Sequence, residues 1–339
     1  MTHQSQSARI PAQSLVDADT LAQLRERSDI IGIALIVHAW GVIFASMALF
    51  YFLPNPITFI LSVMLIGTRQ LGLSILLHDA AHNALTKTTW LNDYLSDIFC
   101  GHPLFANTAA YRHYHLKHHA RTQQDDDPDL VLSKPFPITR DSFRRKMVRD
   151  LTGQTAYQQR KAQFLSALGS SDWPLHKRLA HFRDRLGSAM IAQVIIFILC
   201  ATMFHWSFYF TMWLLPFFTY HMAITRIRNI AEHAIVPENN DPFRNARTTK
   251  AGWLTRAFIA PYWVNYHVAH HLIMHIPCFQ LPKLHKKLIE AGYGPRMEIA
   301  ESYFDIIKRA TSRRDDPAKP TPTKKPRLKG TMTDGFSTQ

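Results

Sequence analysis

Residues 30–68 read IIGIALIVHAWGVIFASMALFYFLPNPITFILSVMLIGT, a run of 39 residues without Asp, Glu, Lys or Arg. One bilayer crossing takes about 20 apolar residues, so the run holds two crossings, joined at Pro54-Asn55-Pro56. Residues 187–225 form a second uncharged run of the same length, with its turn expected near His205-Trp206-Ser207. Buried helices of a soluble core rarely stay uncharged for so long. The expected fold is therefore all-α and integral to a membrane. Four transmembrane helices form two hairpins, and the polar segments between and after them build a helical cytosolic cap with interfacial helices.

The net charge of +14 falls outside these runs. Both hairpin turns are uncharged, while Lys and Arg lie before, between and after the hairpins. The positive-inside rule then places both termini and the central segment in the cytoplasm. A basic face at a membrane attracts anionic head groups and suits an acidic electron donor; no nucleic-acid recognition motif accompanies it. Cys100, Cys200 and Cys278 are scattered without a CxxC spacing, which speaks against a disulfide framework or thiolate metal site. Three segments are expected. Residues 1–29 are a cytosolic N-terminal stretch without a signal peptide, in which Ser14 to Ser28 form a short amphipathic helix on the membrane surface. Residues 30–310 are the main body, and residues 311–339 are a basic, Pro-rich disordered tail. Trp90 to Ala110 and Trp253 to Trp263 suit interfacial helices, and Arg69 reads as a structural arginine that pairs within the bundle.

Histidine is placed with regularity. His78 and His82 are four apart at the end of the second crossing, so they share a helix face. His115, His118 and His119 follow at i, i+3 and i+4 in the stretch 111–119, YRHYHLKHH. The spacing recurs at His267, His270 and His271. Asn229 and His233, again four apart, sit just after the second hairpin. His113 is offset by two from His115 and points elsewhere. Nine imidazoles exceed the four ligands of one tetrahedral zinc and match two metals of higher coordination. No HExxH pattern is present, so a zinc-protease reading is set aside. Asp79 and an aspartate of the run Asp125-Asp126-Asp127-Pro128-Asp129, with Asp126 taken as its representative, are expected to orient ligand imidazoles.

The three histidine boxes, their order and their place after apolar hairpins resemble the membrane fatty acid desaturase superfamily over roughly residues 69–288. Arg112-x-x-His115-x-x-His118-His119 with its trailing Asp-Asp-Pro-Asp resembles the family's second box. His270-His271-Leu272 with Ile276-Pro277 and Leu281-Pro282-x-Leu284-His285 resembles the third. Asn229 with His233 is similar to the extra ligand pair of the acyl-CoA desaturases, where the Asn reaches a metal through water. Asn229-x-x-Glu232-His233 is also similar to a stretch of the alkane monooxygenases.

The resemblance implies a four-helix stem under a cytosolic cap enclosing two Fe2+ ions, held by His78, His82, His115, His118, His119, His233, His267, His270 and His271, with Asn229 through water. Asp79, Asp126 and Glu232 would stand behind these ligands. The implied reaction is O2-dependent desaturation of a fatty acyl chain, lipid-linked or an acyl thioester. His102-Pro103 lacks the following glycine pair of a haem motif, so a separate donor of the ferredoxin or cytochrome b5 type is implied. Two other readings share the histidines: a hydroxylase or ketolase acting on a carotenoid, alkane or acyl chain, and a membrane protein that binds metal without catalysis.

Overall fold

Both ends of the first hairpin are set by short polar signals. Ser28 accepts the amide of Ile31 at 3.3 Å and starts the first long helix. Asn55 and Thr58 form a reciprocal cap around Pro56, which starts the second. The structure is a computed structural model that describes residues 10–237 and 240–313. Six helices matter for the site: α1 (Asp29–Phe52), α2 (Pro56–Ala81), α3 (Thr108–Arg121), α4 (Leu175–Met203), α5 (Tyr220–His233) and α6 (His267–Leu272). The described residues are mostly helical, and their only strands are Thr248–Thr249 and Ile299–Ala300, paired in parallel.

The first uncharged run folds as α1 and α2, locked by the Ser62 hydroxyl on the Ser46 carbonyl at 2.7 Å. The 26 residues of α2 span roughly 39 Å at 1.5 Å per residue, longer than a hydrocarbon core of about 30 Å by more than a turn. Its C-terminal turn carries His78.

The second run departs from the expectation. Among the described residues three helices, α1, α2 and α4, are long and apolar enough to cross a membrane. The fourth arm is broken into a wide π turn (Tyr209–Leu214), a short helix (Leu215–Phe218) and α5. Pro216 accounts for much of this: it has no N–H to donate and its ring crowds the preceding turn. Thr219, at φ −120° and ψ −86°, then interrupts the helix. The side-chain amide of Gln70 donates to the Trp213 carbonyl at 2.9 Å, tying the irregular arm to α2. Arg69 is buried against carbonyls of residues 256 and 257 and lies over the Tyr262 ring at 5.4 Å.

Other elements also differ from expectation. The N-terminal helix is Ala18–Leu24, capped by Asp17, and it buries Leu21 and Leu24 in the protein's own core rather than offering them to a membrane. Helix Thr89–Ser96 exposes Trp90 and Tyr94, then gives way to a π turn at Asp97–Gly101 and a left-handed Phe105. Helix Trp253–Phe258 exposes Trp253 and Leu254 but stops before Pro261. Tyr262 and Trp263 after it take positive φ. Most of the tail, from residue 314, lies outside the described residues.

Candidate metal centre

The C-terminal turn of α2, the faces of α3 and α6 and the last residue of α5 converge beneath the loops that follow them. The nine histidines separate into two groups. His78, His82, His115, His119 and His270 form one; His118, His233, His267 and His271 form the other. Within each group the ligand atoms all lie within 4.8 Å of one another.

Each HxxHH box is shared between the groups. At 3.6 residues per turn, i and i+4 stand about 40° apart, whereas i+3 stands about 100° round from i+4. Helix α3 therefore gives His115 and His119 to the first group and His118 to the second. Helix α6 does the converse: His267 and His271 join the second group, and His270 the first. The two short helices exchange ligands, which brings the groups side by side, with the His119 and His271 rings 4.3 Å apart.

The donor atoms fit metal ions. In the first group His119 Nε2 is 2.9 Å from His115 Nε2 and 3.0 Å from His270 Nε2. In the second, His118 and His233 Nε2 atoms are 3.2 Å apart, His267 and His233 2.8 Å, and His271 and His267 3.1 Å. Two ligands at right angles on bonds of about 2.1 Å, typical for metal–imidazole contacts, lie roughly 3.0 Å apart. His78 and His82 have both ring nitrogens buried without a hydrogen bond among the described residues. Each such orphan costs about 1–3 kcal/mol unless something binds it. Burial, followed mainly by neighbouring imidazoles, holds His115, His119, His267 and His270 well below the usual imidazole pKa. They are neutral at pH 7, the form a metal takes.

Carboxylates stand around the groups in three different ways. His118 Nδ1 donates to Asp127 Oδ1 at 2.8 Å, both side chains being buried. Burial would lower the His118 pKa, but Asp127 and Asp129 outweigh it and hold it at about 9. At pH 7 both ring nitrogens would then carry protons; a bound metal would displace the one on Nε2, while Asp127 keeps the one on Nδ1 and so fixes the ring with Nε2 toward the second group. Asp127 in turn accepts the amides of Gln123 and Asp129 at 2.8 and 2.9 Å. Asp126, expected in this role, is exposed and pairs with Arg121 at 2.6 Å. The loop turns by one residue more than its sequence discloses, so the next aspartate faces inward.

Asp79 Oδ1 is 3.5 Å from His78 Nδ1, but its Oδ2 accepts the Cys278 amide at 2.8 Å. It thereby ties the chain after α6 to the end of α2. Glu232 is buried, bound to Arg228 at 2.7 Å, and lies 3.6 Å from His267 Nε2. It approaches from the donor-atom side of the ring, not from behind it as expected. Asn229 is half-buried, one turn before His233, and lines the same cavity as His118, His233 and His267. His113 is exposed. His275 Nδ1 is 3.3 Å from the His82 carbonyl, at the edge of the first group.

Arg112 has a structural task that spacing alone does not disclose. Its guanidinium donates to the carbonyls of Ala80 and Ala81 at 2.8 and 2.9 Å and to Asp93 at 2.6 Å. It closes the open carbonyl end of α2 and fixes α3 to it, so the histidine pair of α2 meets the box of α3. Arg112→Ala is expected to destabilise the protein by about 2 kcal/mol, read as earlier thermal unfolding of the detergent-purified protein. Unchanged unfolding would deny the clamp.

Comparison with known proteins gives the same direction. The family model described as fatty acid desaturase matches residues 54–302. Dihydrorhizobitoxine desaturase of Bradyrhizobium elkanii is 26% identical over 250 residues, 69% of this chain and 69% of its own length. The sn-1 oleoyl-lipid 12-desaturase of a Synechocystis species is 26% identical over 262 residues, 71% of this chain and 69% of its own. The enzyme of the same name from Anabaena variabilis is 27% identical over 249 residues, covering 67% of each.

Proposed function

The chain belongs to the fatty acid desaturase family, and from that premise we propose an O2-dependent enzyme that introduces a double bond into a fatty acyl chain. Two iron ions would be held by the groups of five and four imidazoles, with Asn229 reaching the second through water. Bound iron would supply the oxygen chemistry that takes two hydrogens from adjacent methylenes. The observation that carries this reading is the set of buried, facing Nε2 atoms 2.8–3.2 Å apart.

The chain's own residues have three tasks in this reading. Asp127 orients His118, Arg112 and Asp79 hold the ligand-bearing segments in register, and burial keeps water from the reacting carbons. None needs to act as a general acid or base. The active site and both termini would face the cytoplasm, toward a separate electron carrier of the ferredoxin or cytochrome b5 type. A cavity lined by Arg25, His119, His271 and His275 reaches both groups and offers an approach for such a donor. Membership of an oxidoreductase family sets aside metal binding without catalysis.

Mass spectrometry of lipids from cells expressing the protein tests the outcome. A product two hydrogens lighter than its parent is expected. A product one oxygen heavier would replace this reading by hydroxylation.

A further inference from the structure

His221, Thr225 and Asn229 are spaced by four residues and share one face of α5. All three line a cavity of about 140 Å³. Its Asn229 end adjoins the second histidine group, since Asn229, Tyr111 and Arg228 also line the cavity of His118 and His233. Its other end, at His221, lies roughly 12 Å away at 1.5 Å rise per residue. Leu71, Leu77 and Ile230 supply apolar wall along the way.

The far end is polar and unsatisfied. The Arg160 guanidinium lies over Phe105 and Phe217, 5.6 and 5.8 Å from the ring centres. Its one hydrogen bond is long, 3.4 Å to the Leu104 carbonyl, and it pairs with no carboxylate among the described residues. Burial draws its pKa down to about 10. His221 packs on the same Phe217 ring at 5.3 Å, is 8% exposed, and its Nδ1 has no partner. The Thr225 hydroxyl is likewise unpartnered. The cavity's two other guanidinium groups are neutralised, Arg226 by Asp150 at 2.8 Å and Arg228 by Glu232 at 2.7 Å. One uncompensated cation therefore remains, with two idle polar groups on the same wall, at the end of an apolar passage leading from the histidines.

We infer that Arg160, with Thr225, binds the carboxylate of a free acyl acid whose chain runs along α5 to the histidine groups. The fork of a guanidinium matches the two oxygens of a carboxylate, and the Thr225 hydroxyl adds a donor. A methyl terminus at this end would leave the half-buried cation without a counter-ion and the buried Thr225 hydroxyl unpaired. The inference rests on the desaturase reading and narrows it: the chain is presented as a free acid, not as a lipid ester or thioester.

The test is equilibrium binding of radiolabelled dodecanoate and of its methyl ester to the full-length, iron-loaded protein in phosphatidylcholine nanodiscs, corrected with empty discs. The acid is expected to bind at least tenfold tighter than the ester. Arg160→Gln should level the two without changing iron content, and Thr225→Val should cut the preference about threefold. Equal binding of acid and ester by the unaltered protein would overturn the inference, as would a preference that survives Arg160→Gln. If Arg160→Gln does not fold, the acid-to-ester ratio of the unaltered protein and the Thr225→Val result decide. Lysophosphatidate displacing dodecanoate more strongly than dodecanoate itself does would transfer the site to a lipid phosphate and overturn the carboxylate. Desaturation of phospholipid chains without acid preference would sink this inference and spare the proposed function. Acid-selective binding without dehydrogenation of any acyl chain would sink the function and leave the anion site standing.

Discussion

His118→Ala is expected to cost the protein its second metal and its turnover, while His113→Ala, two residues before the same box, changes neither. His118 is one of only four imidazoles in its group. It is also the side-chain partner of Asp127, the two being buried against each other at 2.8 Å. Its removal withdraws a ligand and leaves the buried carboxylate with only the amides of Gln123 and Asp129, a loss below the roughly 3–5 kcal/mol of a buried pair broken outright. Removing groups that merely orient ligands lowers metal affinity about 10–100-fold, so losing the ligand itself should exceed that range. Iron content and product formation on purified variants check this. Full iron content and unimpaired turnover in His118→Ala would remove His118 from the site. His113 is exposed on α3 and serves as the control that any helix disturbance would also move.

The second large effect separates two adjacent aspartates. Asp127→Asn keeps size and removes the charge that holds the His118 proton on Nδ1. It is expected to weaken iron retention in the second group by about 10–100-fold. Asp126→Asn breaks only an exposed pair with Arg121, which is worth at most about 1 kcal/mol, and should leave iron retention unchanged. Iron remaining after graded chelation measures both. Equal retention by the two variants would mean that Asp127 does not orient His118.

The contrast between these aspartates also marks how far the sequence can be read. Uncharged runs disclosed the helices α1, α2 and α4, because a bilayer forbids charges over a known length. Box spacing disclosed which histidines share a helix face. Neither discloses how a face is divided: that His118 leaves His115 and His119 for another group follows from where α6 and His233 stand, which is tertiary information. The run Asp125 to Asp129 marked a turn near the histidines but not which carboxylate points inward, because a loop lacks the fixed period of a helix. Counting charges also treated residues 187–225 as two uniform crossings. Pro216 was visible there, but a charge count takes no account of missing backbone donors, and the fourth arm folds as a broken helix. The tasks of Arg112 and Arg160 depend on partners 19 to 56 residues away or on the absence of one, and no local pattern announces either.

The claim on which the rest stands is that the nine histidines hold two irons in separate groups. Elemental analysis of the purified full-length chain, expressed with iron available, tests it most directly when the unaltered protein is measured beside His118→Ala and His82→Ala. Two irons per chain are expected in the unaltered protein and about one in each variant, because the substitutions fall in different groups. A single metal in the unaltered protein, or zinc in place of iron, would contradict the account.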